Sequence, residues 1–289
     1  MNKPPRKIFN KIIGRMKGLP SLPGAVIAIL DVLNNPESSA QELSKALHYD
    51  QSIASRVLKL VNSAFFGFPR QIDTLSKAVT ILGYTSIHNI ILATTIFDTF
   101  NKGPQSRSLN RKRFWQHALG CGAAAQTIES KLSMRNAEEV FLAGVLHDIG
   151  KVILDVYLHD EYAEVLELAQ KENLLLVEAE KKVLGATHAD FGYWLAENWN
   201  LPYNLTAAIA YHHNPSKSKD HFIMASLVHI GDILTKALEI GHGGDDFIPA
   251  INRQAWTTLR LTPDFIESLI PEFEEKLEQA QAFLPDNSS

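Results

Sequence analysis

Apolar residues recur at three- and four-residue spacing along nearly the whole chain, and no stretch sustains an alternation of period two. That pattern restricts the fold more than any other feature. Side chains that share one face every 3.6 residues are buried by packing helix on helix. "LPGAVIAILDVLNN" places Pro23 where a first helical turn tolerates it. "SSAQELSKAL" opens with Ser39 and Glu42 in capping-box spacing. "DQSIASRVLKLVNSA" starts after an N-cap at Asp50, and "TLSKAVTILG" closes on Gly83, read as a C-cap. No Asn-Gly hairpin signal occurs.

The helices fall into two groups. Gly, Pro, Ser and Asn cluster in "NKGPQSRSLN", residues 101–110, between two apolar helices. The reading is an all-α, two-lobed helical bundle. Residues 1–18 form a basic extension, 19–100 the first lobe, 101–110 a linker, 111–240 the second lobe and 241–289 a helical tail. A chain of 289 residues has enough apolar material for two such cores.

Composition excludes several classes. With 21% charged residues and a formal net charge of -4, the chain is no bulk-electrostatic nucleic-acid binder. The single Cys121, in "LGCGAAA", permits no internal disulfide and reads as a buried thiol. Low cysteine use fits a reducing cytoplasm, the expected location. No apolar run approaches the ~20 residues of a membrane span, and "IHNIILATTIF" is interrupted by His88 and Asn89. The basic N-terminus lacks the apolar core of a secretory signal. It and the acidic "DFIESLIPEFEEKLEQAQ" read as solvated faces, the sharper alternative being a weak membrane-surface helix around Ile8 to Met16. "SSAQELSKALHYDQSIASRVLKLVNSAFFG" imitates a helix-turn-helix, but its second helix offers only Arg56 and Lys59 among Val57, Leu58, Leu60 and Val61. A reading helix needs polar side chains for base edges, so DNA is disfavoured as a partner. Phe65, Phe66 and Phe68 are read as a plug between the lobes, or else as a partner-binding patch.

Histidine supplies the chemical signal. Nine of the eleven histidines lie from position 117 onward. His117, His147, Asp148, His188, His212, His213 and Asp232 each stand on, or at the end of, a predicted helix with an apolar face. Helical bundles gather such residues into their cores. The mixture of imidazole and carboxylate suits Fe, Mn, Zn or Ni rather than Ca. Seven candidates exceed the four ligands of a structural zinc. They suit two metals bridged by a carboxylate, a pair able to activate water and clamp a phosphoryl group. Plainer readings stand beside this one. A buried histidine is most often bonded to a backbone carbonyl, His212-His213 could be a polar helix end, and Asp232 could pair locally with His229. His48, His88, His159, His221, His229 and His242 are read as structural or solvated.

"HDIGK" at 147–151, preceded by "WQHA" and followed by "GATHADFG", "AIAYHHNP" and "HIGD", resembles the HD superfamily of metal-dependent phosphohydrolases. "LPSLPGAVIAIL", "DQSIASRVLKLVNSAFFG" and "LSKAVTILG" resemble its HDOD branch, the HD-related output domain of bacterial signalling. The resemblance spans roughly residues 18 to 235. It implies an all-helical output or regulatory domain, in a group where many members are thought to have lost hydrolase activity. Through the related cyclic-dinucleotide phosphodiesterases with the HD-GYP signature, it implies metal ligation by His117, His147, Asp148, His188, His212 with His213, and Asp232. Asp148 would bridge the metals and Lys151 would face a phosphate oxygen, so these two would carry any catalysis. The plainer reading of Lys151 is a surface lysine after a helix-ending Gly150. Two departures weigh against cyclic-dinucleotide hydrolysis or a third metal: no Gly-Tyr-Pro follows His213, and Arg113 stands where an acidic ligand is common.

The sequence therefore points to a bacterial signal-transduction or regulatory protein with a binuclear metal site in its second lobe. The alternative is a phosphohydrolase acting on a nucleotide, cyclic dinucleotide or phosphomonoester. No receiver or cyclase domain is expected in the segments outside the resemblance. Input is expected from a signalling protein or a small phosphate-containing ligand.

Overall fold

Every regular element among the described residues is a helix, as the period of the apolar pattern demands. The structure is a computed structural model that describes residues 13–14, 24–35, 37–39, 42–43, 45–46, 51–63, 65–66, 68, 70–101, 108–134 and 137–283. The chain divides into two units: Pro20–Lys102 with Glu275–Ser289, and Gly103–Glu274 with Met1–Leu19.

In the first of these, α1 (Gly24–Asn34) and α2 (Gln51–Val61) both pack on α3 (Leu75–Asn101). Ser39 and Glu42 form the capping box: Glu42 Oε2 accepts from Ser39 N at 2.8 Å, and Ser39 Oγ accepts from Glu42 N at 3.2 Å. Val57, Leu60 and Val61 of α2 are buried, and Arg56 pairs with Asp98 of α3. The helix that imitated a DNA reader thus spends its apolar face and one of its two bases on core packing. Gly83 is a break within α3 rather than the end of a helix. Its φ of 82° and ψ of 166° are open to glycine and strained for any side chain. By length and composition Leu75–Phe100 could cross a membrane, a feature the sequence reading missed by stopping at Gly83. Its most apolar window is 67% buried, as in a core helix. Phe65, Phe66 and Phe68 are half-buried and pack on one another, with ring centroids 5.1 and 6.3 Å apart. The expectations for Asp50, for His48, for most of the 101–110 segment and for Ile8 to Met16 (Ile13 and Gly14 apart) lie outside the described residues.

The second unit is built around α4 (Arg111–Lys131), which packs on α5 (Ala137–Leu146) and α11 (Phe222–Ala237). Between α5 and α11 come α6 (Ile149–Tyr157), α7 (His159–Glu172), α8 (Leu176–Leu184), α9 (His188–Asn198) and α10 (Tyr203–Tyr211). α12 (Arg253–Thr258) follows, and then α13 (Pro263–Ala280), of which the residues up to Glu274 belong to this unit. Small residues let α4 approach both neighbours. A β-carbon on Gly144 would stand 2.5 Å from Gly122 Cα, and one on Gly231 would stand 2.7 Å from the Cys121 carbonyl oxygen. Cys121 is buried at this seam, with its thiol 3.6 Å from the Val228 carbonyl oxygen. These close approaches bring one face of α4, the end of α5 and one face of α11 to a common point.

Candidate metal centre

All seven predicted ligands meet at that point. His117 comes from the middle of α4 and Asp232 from the middle of α11. His147 and Asp148 occupy the corner between α5 and α6. Asp148 is the N-cap of α6 but makes no side-chain capping bond, which leaves its carboxylate to the cluster. His188 is the first residue of α9, held by a capping box in which Thr187 and Asp190 bond each other's backbone. His212 caps the C-terminus of α10 and His213 follows it. His213 is part-buried, and the other six are at most 1% exposed.

Asp148 lies at the centre. Its Oδ1 is 3.1 Å from His188 Nε2 and 3.6 Å from His212 Nε2. Its Oδ2 is 3.2 Å from His147 Nε2 and 3.7 Å from His117 Nε2. Asp232 Oδ1 closes the second side, 3.1 Å from His117 Nε2 and 3.7 Å from His147 Nε2. The ligand-type atoms therefore form two groups, Asp148-His188-His212-His213 and His117-His147-Asp148, that share one carboxylate.

The ring orientations are fixed from outside the cluster. His147 donates its Nδ1–H to the Gly144 carbonyl at 2.6 Å, and His212 donates to the Ile209 carbonyl at 2.9 Å. His188 donates to Glu180 at 2.8 Å. The Nε2 of each ring is thereby aimed inward, and in the neutral, metal-ligating form of the ring it presents a lone pair there. His188 Nε2 comes within 3.4 Å of His212 Nε2 and 2.9 Å of His213 Nε2. His117 Nε2, His147 Nε2, Asp148 Oδ1 and Asp232 Oδ1 are buried without a hydrogen-bond partner. With the rings neutral, lone pairs would face lone pairs in a dry core, and a metal cation among them would convert that repulsion into ligation. The donor set fits divalent transition metals.

Protonation follows the same layout. Burial pushes Asp148 up, but the cations of His147 and Lys151 hold it well below the usual carboxylate range. For Asp232 burial is likewise outweighed, here chiefly by Lys236. Burial lowers His212 to about 4 and takes His213 well down, with His212 and His188 adding to the second shift. His117 is lowered by burial. In His147 and His188 burial is overcome by Asp148 and Glu180 respectively, so both rise.

Lys151 is not a surface lysine, and Gly150 does not end a helix. Gly150 lies in the first turn of α6, where its missing side chain lets α9 approach. Lys151 is 1% exposed and donates from Nζ to Asp148 Oδ2 and to the Gly243 carbonyl, both at 2.6 Å. His212-His213 does end a helix, but with the rings turned into the core. Asp232 is not the partner of His229, which donates to the His212 carbonyl at 2.7 Å and accepts from Asn252 N at 2.9 Å. Sequence reasoning missed Glu180, Lys236, Asp245 and the Gly243 carbonyl. Glu180 left a readable signal: it sits with Leu176, Ala179, Val183 and Leu184 on the apolar face of α8, and it is fully buried.

The HDOD domain family model matches residues 19–215, more than half of the chain. The chain belongs to the HDOD family. Its fold matches that of an HDOD domain protein of unknown function from Geobacter sulfurreducens, with a TM-score of 0.77, 25% identity and 97% of each chain covered. A protein from Shewanella amazonensis, provisionally called a phosphohydrolase, shares the fold at a TM-score of 0.71 and 23% identity, with 94% of this chain and 97% of that one covered. A Treponema pallidum protein is 24% identical over 235 residues, which are 81% of this HDOD chain and 45% of the Treponema protein. The chain thus spans less than half the length of that curated relative.

Proposed function

We propose that this HDOD protein is a bacterial signal-transduction module whose second unit holds two divalent transition metals, with Asp148 as the bridging ligand. One observation carries the reading: the two oxygens of Asp148 face two separate groups of imidazoles. His188, His212 and His213 would hold one ion, and His117, His147 and Asp232 the other. Metals bound there would supply Lewis-acid polarisation of a phosphoryl oxygen and activation of water. The chain's own part is to fix ring tautomers through Gly144, Ile209 and Glu180, to exclude solvent, and to hold a cation, Lys151, beside Asp148. Six of the seven ligands are buried, so a recognised ligand and a substrate alike would reach the centre only through movement of the surrounding chain.

Metal-dependent phosphohydrolysis is the second reading. Lys151, buried against the bridging carboxylate, favours it, since an ammonium so placed can stabilise charge developing on phosphorus-bound oxygen. The two readings separate in one experiment. Protein reconstituted anaerobically with Fe(II) or Mn(II) is assayed on phosphomonoesters, nucleotides and cyclic dinucleotides, beside Asp148→Ala. Bound metal without turnover supports the signalling module. Turnover lost in Asp148→Ala replaces it with the hydrolase.

A further inference from the structure

The segment that follows α11 closes the centre. Ile240–Asp246 has no regular structure and lies across His117 and Lys151. It is fastened at several points. Gly241 O accepts from Arg113 Nη2 at 3.1 Å, and the His242 amide donates to the Arg113 carbonyl at 2.9 Å. Asp245 Oδ2 accepts from the Leu176 amide at 2.9 Å, and Lys236 Nζ is 3.3 Å from Asp245 Oδ1.

Two glycines give the segment its path. Gly241 has φ +68°, and a β-carbon there would stand 2.3 Å from both the Arg113 carbonyl oxygen and the His117 amide nitrogen. Gly244 has φ +105°. Between them, a β-carbon on Gly243 would lie 3.2 Å from His117 Nε2 and 3.4 Å from Lys151 Nζ. The backbone of Gly243 thus rests directly on a proposed metal ligand and on the buried cation. Its carbonyl oxygen takes the hydrogen bond from Lys151 that an incoming anion would need.

A carbonyl is a neutral acceptor. The Lys151 ammonium is already a charged donor to it; a phosphate oxygen would make both partners charged and add an ion-pair attraction that the carbonyl does not offer. We propose that residues 241–244 are a lid whose Gly243 carbonyl occupies a phosphate-oxygen position at Lys151, and that a phosphate-bearing ligand opens the site by taking that position. The lid pivots on Gly241, where a β-carbon has no room, and on Gly244, whose φ of +105° is strained for any side chain. The released segment then changes what the surface near α4 and α8 presents, which gives the module an output. The proposal rests on the ligand-sensing reading above but is testable without metal.

Hydrogen–deuterium exchange is measured over residues 239–247 in the full-length, metal-free protein. The wild type is expected to exchange slowly there. Lys151→Met removes the cation while keeping the side chain's length, and is expected to speed exchange about tenfold or more. Gly241→Ala, which cannot keep the closed path, should do the same, as should millimolar methyl phosphate added to the wild type but not to Lys151→Met. Fast exchange in the wild type would overturn the lid, and so would slow exchange in both variants. Methyl phosphate without effect on the wild type would overturn the anion position. A chain that binds no metal yet passes these tests would lose the metal reading and keep the lid.

Discussion

Replacing Gly150 by alanine tests how His188 is brought to Asp148. The added methyl would stand 1.9 Å from the His188 carbonyl oxygen and 2.8 Å from the Gly192 amide nitrogen. Both obstacles are backbone, so no side chain can rotate away. Ordinary contact begins at 3.4 Å, so α6 and α9 must part by about 1.5 Å at this point. Asp148 lies two residues before the methyl, and His188 supplies the obstructing carbonyl. Their 3.1 Å approach opens by a comparable amount. Metal sites tolerate ligand displacements of only about 0.2 Å, so one group loses its geometry. Overpacking typically costs about 1–3 kcal/mol, and a clash with rigid backbone belongs at the upper end. For a unit of this size that lowers the melting temperature by about 6–12 °C. Thermal unfolding and metal content are measured on the same preparations. A variant that melts like the wild type and keeps its full metal complement would refute the close α6–α9 approach and the account of how the site is assembled.

Other consequences are equally direct. Glu180→Gln weakens the anchor on His188 Nδ1 and is expected to lower metal affinity about 10–100-fold in a competitive chelator titration; an unchanged affinity would mean that Glu180 does not position the ring. Thr187→Ala removes the cap of α9 and is expected to cost about 1 kcal/mol in denaturant unfolding, whereas an identical midpoint would exclude the capping box from the unit's stability. His212 sits at about 4 in the folded state, below an unfolded value near 6.5, so between these pH values the unfolded chain binds more protons and stability falls as pH falls. Over that window the metal-free wild type should lose about 3 kcal/mol more than His212→Gln; parallel pH profiles for the two proteins would contradict this. Saturating metal at about 100 times its dissociation constant should stabilise the protein by about 2.7 kcal/mol for each ion bound, an increment expected to vanish in Asp148→Ala.

Most of the helices were legible because amphipathic periodicity depends on local sequence. Ser39 with Glu42 formed the expected capping box, and Val57, Leu60 and Val61 packed as core. Gly83 was legible as a breaker, but not as a kink inside a longer helix. That outcome depends on whether the following residues find a helical partner, which periodicity does not report. The ligand residues were legible as types and positions. Their gathering in one bundle core was expected too; the distances among them were not, because they depend on close approaches at Gly122, Gly144, Gly150 and Gly231, where a helix–helix seam is set by what is missing from the side chain. Lys151 misled in isolation, since a lysine near a glycine normally ends in solvent. Only the three-dimensional pairing with Asp148 and Gly243 justifies its burial. The Gly243 carbonyl could not be foreseen at all, because every residue offers such a group and only the path of the chain selects one.

The central claim is that Asp148 bridges two metal-binding groups. Elemental analysis for Fe, Mn, Zn and Ni, scaled to chain concentration, tests it on untagged protein reconstituted anaerobically and freed of loosely held ions. The account expects about two metals per wild-type chain and a loss of both in Asp148→Ala, since each group depends on one oxygen of that carboxylate. No bound metal in the wild type, or two metals retained in Asp148→Ala, would contradict it.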